Sequence, residues 1–278
     1  MAKGRPWGFI PAVLLLAGCL TTLQVIPIDY TPGSARPAIS RYAGYESDVK
    51  AIGYVMIEEL KLPRVEGTLL VYPSRQEYQS GFVTELGASP DRVAAKTGAL
   101  AVANCPYKKI LANGERLSNL PWHVRVRTLA HEMTHMAQFA LGGWSCRLPH
   151  AWLTEGFAHW AAYRVLEKLG LDSFASGREA AVESVAGLKS GRALPPLSRL
   201  SSQPDWDGAV RDPGAAESVY GQSFLAADYL IGQKGMAAVV EYFRMFERSN
   251  NRDPNFKAAF GADAARFEAD FNAQRKNF

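Results

Sequence analysis

Between residues 42 and 62 the apolar side chains Val49, Ile52, Met56, Ile57 and Leu60 recur at helical spacing, which predicts an amphipathic helix. The pattern then shortens. "VEGTLLVYP" reads as a strand closed by Pro73, and "SRQEYQSGFVTELG" as a helix with Ser74 at its N-cap and Glu77 three residues on. "GALAVANCP" and "KKILANG" predict two further short strands joined near Pro106. From Asn119 the helical period dominates. "LPWHVRVRTLAHEMTHMAQFALGG" predicts a long helix with Pro121 near its start and Gly142-Gly143 past its end. "HAWLTEGFAHWAAYRVLEKLG" predicts a second, ended by Gly170, and three more helices follow over residues 215–235, 236–250 and 264–276. Residues 187–216, rich in Gly, Pro and Ser, show little regular pattern and read as a long loop. The fold class expected is α+β, mainly helical: a small sheet lobe over about 41–118 and a helical lobe over about 119–278, forming one cooperative unit.

Composition adds a globular chain with a substantial core, 47% apolar and 21% charged over 278 residues. The formal net charge of +4 falls close to balance once Lys3 and Arg5 of the N-terminal leader are set aside. No run of like charge stands out, so no nucleic-acid partner is expected. The leader changes the picture more. "MAKGRPWG" carries two cations and no acid, and "FIPAVLLLAGCL" supplies an apolar segment ending in small residues, the layout of a secretory signal over 1–18. Its "LAGC" resembles the lipobox of bacterial lipoproteins, which implies lipidation at Cys19 and a membrane partner through that anchor. Residues 19–40, with three prolines and a glycine, then read as a lipidated tether. The other reading is an uncleaved signal anchor running to Ile28; Pro11, Gly18, Pro27, Thr21, Thr22 and Gln24 weaken it. Both put the domain in the cell envelope, facing the periplasm or exterior, and Leu20 after Cys19 points to the outer membrane by the same resemblance. Cys105 and Cys146 remain, either as a disulfide suited to an oxidising compartment or as two separate buried thiols.

The candidate chemistry lies in "HEMTH", His131–His135. Residues four apart on a helix project side by side, so both imidazoles can reach one Zn²⁺ at roughly 2.0–2.1 Å. Glu132, one step round from His131, can reach a water at that ion without ligating it. Two histidines leave a catalytic zinc short of its third protein ligand. Glu155 is the candidate, early on the next helix, with the "GGWSCRLPH" turn between and Gly156 permitting close helix packing.

"LAHEMTHMAQ" and "LPHAWLTEGFAHW" resemble the gluzincin metallopeptidases, especially aminopeptidase-N-like and peptidase MA-like bacterial domains, over about residues 45–275. The resemblance implies a zincin-like architecture, a single Zn²⁺ held by His131, His135 and Glu155, and Glu132 as general base toward zinc-activated water. It also implies an oxyanion donor from a downstream helix, for which Tyr220 in "ESVYGQSFLAADYL" has the matching placement; Tyr229 reads as core. His159 stands one turn after Glu155, where relatives carry an acid, and is expected to support a ligand or the packing. His150 and His123 read as caps or surface residues. "TGALAVAN" occupies the position of the strand edging the cleft, where a peptide or protein substrate could add by main-chain hydrogen bonds. It has no Glu to hold a free α-amine, which points to endopeptidase rather than aminopeptidase action. The 187–216 loop is expected to cover the cleft and to help set specificity. The rivals are a non-catalytic zinc-containing binding or assembly lipoprotein, and a hydrolase of non-peptide bonds.

Overall fold

The computed structural model describes residues 22–96, 98–147, 149–186 and 193–275. It is α+β and mainly helical, with one four-stranded sheet. The strands are β1 (Gln24–Ile28), β2 (Gly67–Tyr72), β3 (Ala101–Asn104) and β4 (Lys109–Asn113). Their spatial order is β1-β2-β4-β3, with β2 and β4 parallel and both outer pairs antiparallel. Side chains alternate across the sheet with the period of two that pleating imposes. Leu69, Val71, Ile110 and Ala112 enter the main core. Leu70, Tyr72 and Leu111 face the other way, onto Tyr78 and Phe82.

Those two aromatics belong to α2 (Arg75–Leu86), whose N-cap Ser74 accepts from the Glu77 N–H as a capping box requires, while the Glu77 carboxylate accepts from the Ser74 hydroxyl in place of the Ser74 backbone N–H. The helix α1 (Gly44–Tyr54) runs on as a π-helical turn at Val55–Glu59 and packs on the core face of the sheet. Short helices α3 (Pro90–Lys96) and α4 (Gly114–Ser118), neither evident from periodicity, complete the sheet lobe.

Two long helices follow. α5 (Trp122–Leu141) turns Val126, Leu129, Ala130, Met133, Met136 and Ala137 into the core, and α6 (Ala151–Leu169) turns in Trp152, Leu153, Phe157, Ala161 and Val165. The remainder is α7 (Phe174–Ala186), α8 (Gln203–Ala209), α9 (Pro213–Lys234), α10 (Met236–Met245), α11 (Arg252–Phe260) and α12 (Ala264–Arg275). α9 lies against α6 so closely that a Cβ at Gly156 would run into the Ser223 carbonyl oxygen. Gly156 therefore does permit a close helix approach, but to α9 rather than to α5.

Two sequence readings need correction. The tether assigned to 19–40 is not free of structure, because residues 24–28 form β1 and bury Ile26 and Ile28 under α1. Pro27 is accommodated because β1 is an edge strand. The 187–216 segment is not a long irregular loop. A 3₁₀ turn at Leu197–Leu200 and α8 occupy it, anchored by buried Leu197, Leu200 and Trp206, and α9 begins within it behind its N-cap Asp212. A single apolar residue per turn gave periodicity nothing to detect. Residues 187–192, the signal region 1–18 and Cys19 lie outside the described residues. Among the described residues no helix is long and apolar enough to cross a membrane.

Cys105, just past β3, and Cys146, past the end of α5, are joined by a disulfide with a Cα–Cα distance of 5.7 Å. The bridge fixes the exit of the edge strand to the exit of the histidine-bearing helix.

Candidate metal centre

His131 and His135 project from one face of α5, their Nε2 atoms 3.0 Å apart. The Glu155 Oε2 on α6 stands 3.3 Å from the first and 3.5 Å from the second. Three lone-pair atoms thus converge within 4.8 Å of one another, in side chains that are largely buried. The arrangement needs a cation or a proton at its centre, since three such atoms in a poorly solvated site otherwise repel.

The tautomer of His135 favours a cation. Gln138, one turn further along α5, donates its amide N–H to the Thr154 carbonyl at 2.8 Å, which turns its own carbonyl oxygen toward His135. His135 Nδ1 lies 2.8 Å from that oxygen and must donate, so that in the neutral ring Nε2 is the lone pair, aimed at Glu155 and His131. This is how a ligating histidine is commonly held. Gln138 also ties α5 to the residue preceding Glu155, so one amide sets both the imidazole and the helix register. It escaped the sequence reading, although its spacing of three from His135 on the ligand face could have drawn attention to it. His131 Nδ1 is buried and has no hydrogen-bond partner among the described residues, a second sign that this cluster is incomplete as a set of protein groups alone. Two nitrogens and one carboxylate oxygen fit a divalent ion such as zinc.

Electrostatics separate the groups. Burial pulls the His135 imidazole down, but the Glu155 carboxylate outweighs it and raises the ring to about 9. Burial likewise pushes Glu155 up, yet His135 and His131 hold it well below the usual carboxylate range. Glu132 is raised by burial, against the lowering effect of both histidines. Its Oε2 accepts the Ala103 N–H from β3 at 2.7 Å, so the carboxylate is pinned beside the triad without belonging to it.

His159 is not among the converging ligands. Its ring packs edge-on to His131 at 4.6 Å between centroids and leans on Tyr220 at 4.9 Å. Burial first, and His131 second, depress it well below the ordinary imidazole range, so it is neutral. Tyr220, on α9, also packs against Trp206, with ring centroids 5.1 Å apart and the two planes nearly perpendicular. Burial, reinforced by Glu155 and Glu132, raises the Tyr220 phenol, which therefore keeps its proton. Tyr229 packs between Phe267 and Phe271 as core. His123 is exposed on the first turn of α5. His150 does hold the N-cap position of α6, but it is buried against Tyr242 and makes no side-chain cap.

His131, Glu132, His159 and Tyr220 share the wall of one cavity of about 770 Å³. Leu100 and Ala101 of the β3 side form one border, and α7 and α9 form another. Among the described residues β3 pairs only with β4, and the Leu100 carbonyl accepts the Asn113 N–H on that side. Alternation then turns the Ala101 and Ala103 main chain to the free edge, where Ala103 meets Glu132. Of the residues singled out by sequence, the structure gathers His131, Glu132, His135, Glu155, His159 and Tyr220, and joins Cys105 to Cys146. Trp206, which backs Tyr220, came from the segment read as loop.

No family model, no curated protein and no solved structure matches this chain.

Proposed function

We propose that this chain is a zinc-dependent peptidase of zincin-like, gluzincin-type architecture, acting as an endopeptidase. The observation that carries the reading is Glu132: a carboxylate held by the Ala103 N–H, facing the cavity beside three converging ligand atoms and not one of them. A purely structural metal site has no use for such a group.

His131, His135 and Glu155 would hold the ion, with Gln138 presenting His135 in its ligating tautomer. When bound, zinc supplies Lewis acidity, which polarises a carbonyl and makes a water easier to deprotonate. Glu132 performs the proton transfers. With Oε2 engaged by Ala103, Oε1 takes the proton of the attacking water and then delivers it to the departing amine nitrogen. Its raised affinity for protons suits both halves of that exchange. The Tyr220 hydroxyl, protonated and on the same wall, donates to the oxygen that gains negative charge. His159 keeps Tyr220 and His131 apart as a neutral spacer. The free edge of β3 offers main-chain groups to an extended peptide, and no carboxylate of "GALAVAN" captures a free α-amine.

The leader pattern and the Cys105–Cys146 bridge support a placement outside the cytoplasm, with the chain anchored through a lipid on Cys19. Metabolic labelling with a fatty acid, lost in Cys19→Ala, tests the anchor.

Glu132→Gln tests the chemistry. The variant should retain stoichiometric zinc and lose turnover of a peptide library by about 10²–10⁴-fold. Retained zinc with undiminished cleavage would overturn the role of Glu132. A zinc-loaded wild-type chain that cleaves no peptide would favour the non-catalytic binding protein.

A further inference from the structure

The cavity beside the triad carries two guanidinium groups that the hydrolysis does not use. Arg127 stands one turn before His131 on α5, so its backbone lies about 6 Å along the helix axis from that ligand. Its Nη1 donates to the Tyr163 hydroxyl at 2.8 Å, and its guanidinium carbon lies 5.4 Å from the centre of the Tyr163 ring. Arg116, from α4, reaches the same cavity from the β3 side and donates to the Gly98 carbonyl at 2.6 Å. Among the described residues, no carboxylate forms an ion pair with either arginine. The two acids that share the cavity wall are Glu132, held by Ala103, and Glu217, exposed on α9 and paired with neither.

An arginine stays charged whatever its surroundings, and Arg127 is half-buried with most of its five N–H donors unspent. Nor is it free to swing out to water. Tyr163, which holds it, is wedged between α7 and α9: a Cβ at Gly177 would run into its ring, and Phe224 meets it edge-on at 5.6 Å. The cation is therefore held in a fixed place on the wall of the cavity that His131 and Glu132 also line, with donors suited to a planar anion.

We infer that Arg127, with Arg116 across from it, forms a carboxylate subsite, so that the cleft selects peptides carrying an acidic side chain or a free C-terminal carboxylate near the scissile bond. The inference rests on reading the cleft as a peptide site and names its substrate class.

The test measures binding without turnover. Zinc-loaded Glu132→Gln protein is titrated calorimetrically with blocked hexapeptides in which a single Glu is walked through an alanine background. The matching Gln peptides, and an all-alanine peptide with free or amidated C-terminus, complete the set. At least one Glu peptide, or the free-acid peptide, should bind about tenfold more tightly than its neutral counterpart. Which of the two does so distinguishes an internal acid from a chain end. Adding Arg127→Gln, which keeps a donor for Tyr163 but removes the charge, should close that gap, with circular dichroism unchanged. Arg116→Gln should narrow it by a smaller factor. No gap in any peptide, or a gap that survives Arg127→Gln, overturns the subsite. Cleavage of the same peptides is assayed in parallel with the zinc-loaded wild-type chain: discrimination by the variant with no cleavage by the wild type would sustain the subsite and refute the peptidase. Hydrolysis without discrimination would do the reverse.

Discussion

Two buried imidazoles in this molecule each face a carboxylate, and the two come to opposite states. His135 lies 3.5 Å from Glu155, whose side chain is only 14% exposed, and is raised to about 9. His150 lies 3.3 Å from Asp253, whose side chain is 80% exposed, and is lowered to about 4. Burial disfavours the imidazolium at both positions. What differs is whether the partner is buried with it: a carboxylate in water is screened and cannot offset the desolvation, whereas one inside the protein can. The α5–α6 centre is thus poised to hold positive charge, and the pocket between α6 and α11 is not.

Removing the buried partner should break the contrast most completely. Glu155→Gln is expected to lower zinc affinity by about 10³-fold or more and to abolish turnover. It should also drop the His135 titration in the metal-free chain toward that of His150. Metal analysis after dialysis and histidine proton NMR read the two effects, and a His135 pKa that stays near 9 would show that Glu155 is not its cause.

The two histidines should also place opposite slopes on stability. The unfolded reference for both is about 6.5. His135 is raised in the fold, so in the metal-free chain its contribution is complete below about 6.5 and disappears as pH rises through 9. His150 is depressed, so its contribution is present above about 6.5 and is lost as pH falls through 4. Each limb is worth at most about 3 kcal/mol. Melting temperatures of chelator-treated protein should peak between the limbs. Zinc should erase the alkaline fall, because binding displaces the His135 proton, and calorimetry in buffers of different ionisation enthalpy should count close to one proton released at pH 7.

Gln138→Leu sharpens the same point more gently. Without the amide that sets the tautomer, zinc affinity should fall about 10–100-fold with the fold retained. Unaltered affinity would remove the orienting role of Gln138. The smallest effect is expected at the other site. Asp253→Asn should move stability by less than about 0.5 kcal/mol and leave zinc binding untouched, as for other exposed charges. A drop of several kcal/mol would mean that His150 depends on its partner after all.

Much of the centre was legible because its signals are local. His131 and His135 are neighbours by helical spacing alone, and the Ser74–Glu77 cap is likewise a matter of positions three apart. Glu155 was reachable because one short turn links its helix to α5. The residues that refine the site were less so. Gln138 looks like any amide until Thr154 is seen to accept from it, and Arg127 resembles a solvated surface charge until Tyr163 and Gly177 confine it. β1 was hidden in a stretch whose prolines suggested a tether, because an edge strand tolerates what a central strand does not.

By itself the sequence determined the strands β2, β3 and β4, the long helices including the two that bear His131, His135 and Glu155, the alternation that gives the sheet its two faces, and the chemical kind of donor at each position. These follow from backbone periodicity and side-chain chemistry, which act over a few residues. The tertiary structure decided the rest: that Glu155 meets both imidazoles, that an edge-strand amide pins Glu132, that Cys105 reaches Cys146, and that one histidine faces a buried acid while another faces a wet one. Proton affinity and ligand geometry depend on distances and solvent exclusion between segments far apart in the chain, and only the packed fold sets those.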